Sequence, residues 1–194
     1  MRRDKHGGVV MTEESAGRLC RLLDGHGVRY WLVGGWGVDA LLGRCTREHE
    51  DLDVLLVVSQ HAQAWRVLRT EGYQLAYRWE ENVDVPGTII AGVVQPTAYV
   101  LEDRSGRQVD VHVLDDSTTA LVPLWSTDRR LIPGALDAHG TVDGVHVRCM
   151  SAGMQLVAHE GYVLPETHKA DVAILRSVVR HGTTGATTPP EGRE

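Results

Sequence analysis

The chain has 194 residues and a formal net charge of −6. That length suits one domain with a small appendage, and the acidic balance speaks against broad contact with a nucleic-acid backbone, which needs clustered lysine and arginine. A small cationic substrate fits it better.

The rest of the composition is ordinary for a globular protein, with 42% hydrophobic and 24% charged residues. Phe is absent, so Val, Leu, Trp and Tyr must fill the core. Cys20, Cys45 and Cys149 are scattered and form no CxxC pair. This argues against a disulfide framework and a zinc site and points to reduced core thiols in a cytoplasmic protein. No apolar run approaches the ~20 residues of a membrane span. The basic start "MRRDKHGG" has no apolar segment after it, so a signal peptide is not expected.

In chain order, residues 1–11 read as a loose lead-in. Thr12 is an N-cap, and Glu13 and Glu14 suit the first turn of a helix. Ala16, Leu19, Cys20, Leu22 and Leu23 form its apolar stripe, and Gly25 and Gly27 end it. "RYWLV" (29–33) reads as a strand broken by Gly34-Gly35, and "WGVDALLG" as a short helix closed by Gly43. The next strand opens with Asp51 and Asp53 and continues through Leu52 and Val54 to Val58. A helix over His61 to Thr70 and an alternating strand over Tyr73 to Trp79 follow. "TAYVLEDRSGRQVDVHVL" reads as a hairpin around "RSGR". After "DGVHVRCM" the chain is helical, in "SAGMQLVAHEGY" and "HKADVAILRSVVR". The predicted class is α/β with α+β character: a mixed core over 12–148, a helical part over 149–182, and a polar disordered tail over 183–194.

The chemistry concentrates in "HEDLDVLLV". Side chains alternate along a strand, so Asp51 and Asp53 share a face. Like charges there repel unless a cation lies between them. Gly34-Gly35, between a strand and a helix, lets backbone approach a phosphate and aims a helix N-terminus at it. In "QVDVHVL", Asp110 and His112 face away from the valines. A third carboxylate on a neighbouring strand would complete a site for two Mg²⁺ ions, suited to in-line phosphoryl or nucleotidyl displacement.

The order strand, Gly-Gly, helix, Asp-x-Asp strand and later aspartate resembles the nucleotidyltransferase superfamily related to DNA polymerase β. "YWLVGGWGVDALLGRCTREHEDLDV" is similar to the small lincosamide nucleotidyltransferases. Its "GGWGVD" and "REHEDLD" blocks are also shared with the aminoglycoside 2''-nucleotidyltransferases. "VDVHVL", "VRCMSAGMQL" and "HEGYVLPET" extend the resemblance over residues 28–175. The segment "VDVPGTIIAGVVQPTAYVLED" departs from it, being longer than in the short lincosamide enzymes at a place where acceptor contacts are expected.

The resemblance implies a polymerase β-like core that transfers AMP from Mg-ATP to a hydroxyl of a small antibiotic and releases pyrophosphate. Asp51 and Asp53 would hold the metals. Asp110 would hold the second metal, take the acceptor proton, or both. Gly34 and Gly35 would hold the triphosphate through N–H groups. Arg47 and His49 could reach phosphate oxygens, or Arg47 could pair with Glu48 or Asp51. Trp36 either caps the nucleotide or fills the core, and Asp39 braces the glycine loop. Lys169 reaches the triphosphate or is a solvated helix lysine. His112 and Glu102 would line the acceptor side. Glu80, Glu81, Asp84, Glu102, Asp103, Asp115 and Asp116 form either an acidic rim for a cationic drug or a solubilising surface. A lincosamide is the first acceptor and an aminoglycoside the second. Two further readings keep the fold: a toxin acting on tRNA or protein, and a nucleotide-binding module that has lost catalysis.

Overall fold

The computed structural model describes residues 9–78, 84–90, 93–125, 130–161 and 163–181, with backbone alone for 84–90 and 93–96. Helix α1 (Glu13–Gly25) starts where the Thr12 side chain, in extended backbone, accepts from the Ser15 N–H. Its buried stripe is Ala16, Leu19, Cys20 and Leu23. The residues just before it are not loose. Met11 is 1% exposed, and its N–H donates to the His49 carbonyl at 2.8 Å. The expected tail at 183–194 lies outside the described residues.

Strand β1 (Tyr30–Leu32) leads into α2 (Gly34–Leu42), whose first turn contains both glycines. Gly34-Gly35 therefore opens the helix instead of separating it from the strand. β2 (Asp51–Val57) passes directly into α3 (Val58–Thr70), so Val58 is helical and the helix begins earlier than the apolar run suggests. β3 (Gln74–Arg78) is exposed throughout its length, as an edge strand can be. β4 (Asp84–Ile90) and β5 (Val93–Pro96) form a separate antiparallel pair inside the segment that departs from the short lincosamide enzymes.

β6 (Ala98–Glu102) and β7 (Gln108–Asp115) are the expected hairpin. Asp103 organises its turn, accepting from the N–H groups of Ser105 and Arg107 and from the Arg107 guanidinium. β8 (Val122–Pro123) pairs with the end of β7. β9 (Ala138–Val142) and β10 (Val145–Cys149) make a second hairpin, which the sequence pattern alone did not bring out. Its turn residues Asp143 and Gly144 both have positive φ, 50° and 70°. That is the requirement for which Asp-Gly is selected in tight hairpins. α4 (Ala152–Ala158), capped by Ser151, and α5 (Glu166–His181) complete the described chain.

The main sheet runs β3-β6-β7-β2-β1-β10-β9. It is mixed: β2 is parallel to β7 and β1 to β10, while β1 and β2 are antiparallel. Strand alternation separates its two faces. Leu52, Val54 and Leu56, with Val109, Val111 and Val113, pack on α1 and α3 residues such as Leu19, Leu23, Trp65 and Leu68. The other face carries Asp51 and Asp53 at one end. At the other end Leu55 and Val57 join Trp31, Leu114, Met150 and Met154. Burial of such side chains stabilises by about 1.5–3 kcal/mol each, which fixes the register and so the height of the aspartates. Among the described residues, no helix is long and apolar enough to cross a membrane.

Candidate active site

Asp51, Asp53 and Asp110 come together at the β2–β7 step. Parallel register places Asp53 beside Asp110 and Asp51 beside Gln108. Ligand atoms of the three carboxylates lie within 4.8 Å of one another. All three are half-buried. No hydrophobic packing explains such a cluster, and its donor set of hard carboxylate oxygens suits a divalent cation such as Mg²⁺.

The N-terminus of α2 faces this cluster. Val33, its N-cap, donates its N–H to the Asp53 carbonyl, and no side chain caps the helix. The first-turn N–H groups have no intrahelical acceptor. Gly34 has φ 58°, and a Cβ there would collide with the Asp53 carboxylate. At Gly35, a Cβ would come within 2.5 Å of Arg47 Nη2 and His49 Nδ1. The two glycines thus admit two different groups, a carboxylate at Gly34 and a guanidinium with an imidazole at Gly35. The arrangement suits an anion at the helix N-terminus and a cation among the carboxylates next to it.

His49 is 3% exposed, and its Nε2 donates to Asp39 Oδ2 at 2.6 Å. Asp39 also accepts from the Thr46 N–H and hydroxyl. Burial would raise its carboxyl, but the bonds from His49 and Thr46 outweigh that and hold it below the usual carboxylate range. Asp39 therefore braces the 44–50 loop rather than the glycines. Arg47 is gripped by a residue the sequence reading did not name, and Asp51 acts on it through charge. Its Nη2 and Nε donate to Asp171 of α5 at 2.8 and 3.3 Å, and Nη1 donates to the Glu48 carbonyl.

A cavity of about 500 Å³ opens here. One wall holds Gly34, Gly35, Arg47, His49, Asp51 and Asp53. Two residues further along the same strands, Leu55 and His112 are paired across β2 and β7, and with Trp125 and Met150 they line the cavity beyond the carboxylates. Gln155, His159, Thr167, His168 and Asp171 line it from the C-terminal helices and the turn between them. His112 Nδ1 is 3.5 Å from Asp110 Oδ1, and its ring meets Trp125 edge to face at 4.9 Å.

Three expected contacts are not made. Trp36 is 1% exposed and packs in the core against the His49 ring, so it caps no nucleotide. Lys169 points to solvent and pairs with Glu166 at 2.5 Å. Glu102 accepts from Gln108 at 2.8 Å and is not part of the cavity wall. Among the described residues the acidic rim does not assemble at the cavity either. Asp103 is tied to Arg107 and Asp116 to Arg29 and Ser59. Glu80 and Glu81 lie outside the described residues, as does the Asp84 side chain.

Sequence reading missed Asp171, Trp125, Gln155, His159 and His168. Asp171 carried a usable signal: it is a carboxylate on the buried stripe of α5 with Val172 and Leu175, where an unpaired charge is costly. The others lie on elements whose docking no local pattern reports.

A mixed sheet that sets three carboxylates against a glycine-opened helix N-terminus is the construction of a nucleotidyltransferase. The chain belongs to the aminoglycoside-2''-adenylyltransferase family, whose sequence profile matches residues 17–175. A lincosamide resistance protein of Staphylococcus haemolyticus is 26% identical over 172 residues, spanning 87% of this chain and 96% of that protein. The lincomycin-bound lincosamide antibiotic adenylyltransferase LnuA has the same fold, with a TM-score of 0.70 at 24% identity over 88% of this chain and 99% of that one. ANT(2'')-Ia in complex with adenylyl-2''-tobramycin gives 0.64 at 17% identity, over 89% and 92%.

Proposed function

We propose that the enzyme transfers AMP from ATP to a hydroxyl of a lincosamide and releases pyrophosphate. The observation that carries the reading is the carboxylate triad beside the open first turn of α2. The triphosphate would lie across the N–H groups of Gly34 and Gly35 with Arg47 at its flank. Asp51, Asp53 and Asp110 would hold Mg²⁺. When bound, the ions supply charge neutralisation at the α-phosphate and the leaving pyrophosphate. The acceptor oxygen forms a bond to the α-phosphorus as the bond to the pyrophosphate oxygen breaks, and the acceptor proton passes to Asp110. Positioning and charge neutralisation account for most catalysis of this kind.

The part of the cavity beyond the carboxylates supports the choice of acceptor. Leu55, Trp125 and Met150 are apolar and His112 is beside them, while, Asp171 apart, the further acids that line the cavity, Glu48 and Glu50, belong to the 44–50 loop next to Arg47 and His49. A lincosamide has one basic amine and apolar arms. An aminoglycoside has several ammonium groups and calls for several carboxylates. The name of the staphylococcal relative agrees with the first. The aminoglycoside reading is favoured by the family description. An acceptor panel with ATP, GTP and Mg²⁺, read by mass spectrometry, tests the proposal. A lincosamide heavier by one adenylyl group is the expected product. Modification of aminoglycosides alone, or of tRNA or protein alone, would overturn it.

A further inference from the structure

The contact between Arg47 and Asp171 joins the phosphate-facing loop to the C-terminal helix, and nothing in the transfer reaction itself calls for it. We infer that Asp171 is a positioning residue for nucleotide binding. It holds the Arg47 guanidinium over the first turn of α2 as a preset clamp for the triphosphate, and it keeps that guanidinium off the Asp51–Asp53 pair. The inference rests on the nucleotidyl-transfer reading of the site.

Geometry supports it first. Asp171 is 3% exposed, and its two oxygens meet Nε and Nη2 of one guanidinium. That two-point grip fixes the plane of the group, which a single contact would not. Nη1 is directed to the Glu48 carbonyl. The guanidinium is therefore held from two sides, with Nη2 against Gly35. A cation fixed there adds to the partial positive charge of the α2 N-terminus. A triphosphate meeting it does not have to order a long side chain on arrival.

Charge supports it second. The carboxylates acting on Arg47 are Asp171, Asp39 and Asp51. Asp39 is engaged by His49 and Thr46. With Asp171 gone, the pull of Asp51 on the guanidinium is no longer opposed from the α5 side, and an arginine shifted toward Asp51 competes with the cation that the triad would hold.

A plain structural ion pair makes a different prediction. α5 is already held by Val172 and by Leu175, which is fully buried beside Val38 and Ala152. If the pair only fastens the helix, its loss lowers stability and leaves phosphate affinity alone.

The test is isothermal titration of the full chain with inorganic tripolyphosphate and Mg²⁺ at low temperature. Asp171→Asn is expected to weaken binding about tenfold, the scale of one lost charged hydrogen bond, and to raise the Mg²⁺ needed for half-maximal binding. In an Arg47→Ala background the same substitution is expected to change affinity less than twofold, because Asp171 acts through Arg47. Leu175→Ala serves as the control: it should lower Tm while leaving affinity unchanged. An Asp171→Asn protein that is folded and binds within twofold of wild type overturns the inference. If that variant does not fold, Asp171→Glu is read instead. Its longer arm misplaces the guanidinium, so weaker binding is expected, and wild-type affinity overturns the inference. Wild-type protein that binds no tripolyphosphate overturns the nucleotide reading and this inference with it. Wild type that binds but adenylylates no lincosamide overturns only the proposed acceptor.

Discussion

Asp53 lies directly opposite Asp110 across the parallel strands β2 and β7. Directly opposed like charges destabilise a sheet by roughly 0.2–1 kcal/mol. The core face of the same strands is closely packed and would have tolerated neutral residues here. An opposed pair of carboxylates beside an open helix N-terminus is what the proposed cation site requires.

Asp53→Asn should therefore abolish transfer and weaken Mg-dependent nucleotide binding, while Tm holds or rises slightly. Asp51→Asn should behave alike. Calorimetry with and without Mg-ATP checks both, since a ligand bound only by the native state raises Tm. Near-normal turnover in either variant would remove the metal assignment.

Gly34 offers a second test, at the other side of the Asp53 carboxylate. Its φ of 58° suits glycine, and a Cβ would strike that carboxylate. Gly34→Ala is expected to cost about 1–3 kcal/mol in denaturant unfolding and to impair transfer by displacing Asp53. Gly35→Val should act differently, by pushing Arg47 and His49 and so raising KM for ATP. Equal, small effects at both positions would return the pair to an ordinary helix start.

These glycines also show what the sequence made legible. The strand bearing Asp51 and Asp53, the helix capped by Thr12 and the hairpin bearing Asp110 each announce themselves within a dozen residues, through alternation, capping chemistry and turn residues. The β9–β10 hairpin was not read from the sequence, although "TVDGVHV" carries Asp-Gly between β-rich runs, a turn signal that could have found it. What local pattern cannot report is which distant elements meet. The partner of Arg47 is 124 residues away. His159 and His168 reach the cavity only because α4 and α5 dock beside it. The burial of Trp36 follows from the way α2 lies on the sheet, and a helix residue beside a glycine turn carries no mark of which side it will take.

His61 gives a stability test away from the site. It is fully buried on α3, shares a 2.6 Å hydrogen bond with Tyr99, and burial lowers its pKa to about 4. The folded state holds it neutral, whereas the unfolded chain takes a proton near the ordinary value of about 6.5. Between pH 6.5 and 4 the unfolded state binds more protons, so stability falls as pH falls, by about 3 kcal/mol across the window. Asp39 and Asp103, held low by their partners, lose stability only on further acidification. His61→Gln should flatten the decline between pH 6.5 and 4.5 in urea unfolding. An unchanged slope would show that other groups carry it.

The last prediction separates the roles of the three aspartates. Asp110 sits at the β2–β7 step with His112 Nδ1 3.5 Å from its Oδ1, and His112 in turn meets the Trp125 ring. If Asp110 takes the acceptor proton, it acts mainly in the transition state. Asp110→Asn preserves size and removes basicity, so kcat should fall about 10²–10⁴-fold. ATP affinity should change much less than in the Asp51 and Asp53 variants. His112→Ala should raise KM for the acceptor and leave nucleotide affinity near wild type, because the register sets His112 beside Leu55, two residues past the Asp53–Asp110 pair. Titration with a non-hydrolysable ATP analogue, run beside turnover with the identified drug, reads the two effects separately. Ordinary turnover in Asp110→Asn would leave two carboxylates in play and would sink the two-metal mechanism. A loss of ATP affinity as large as in Asp53→Asn would instead make Asp110 chiefly a metal ligand, and the acceptor proton would then need another base.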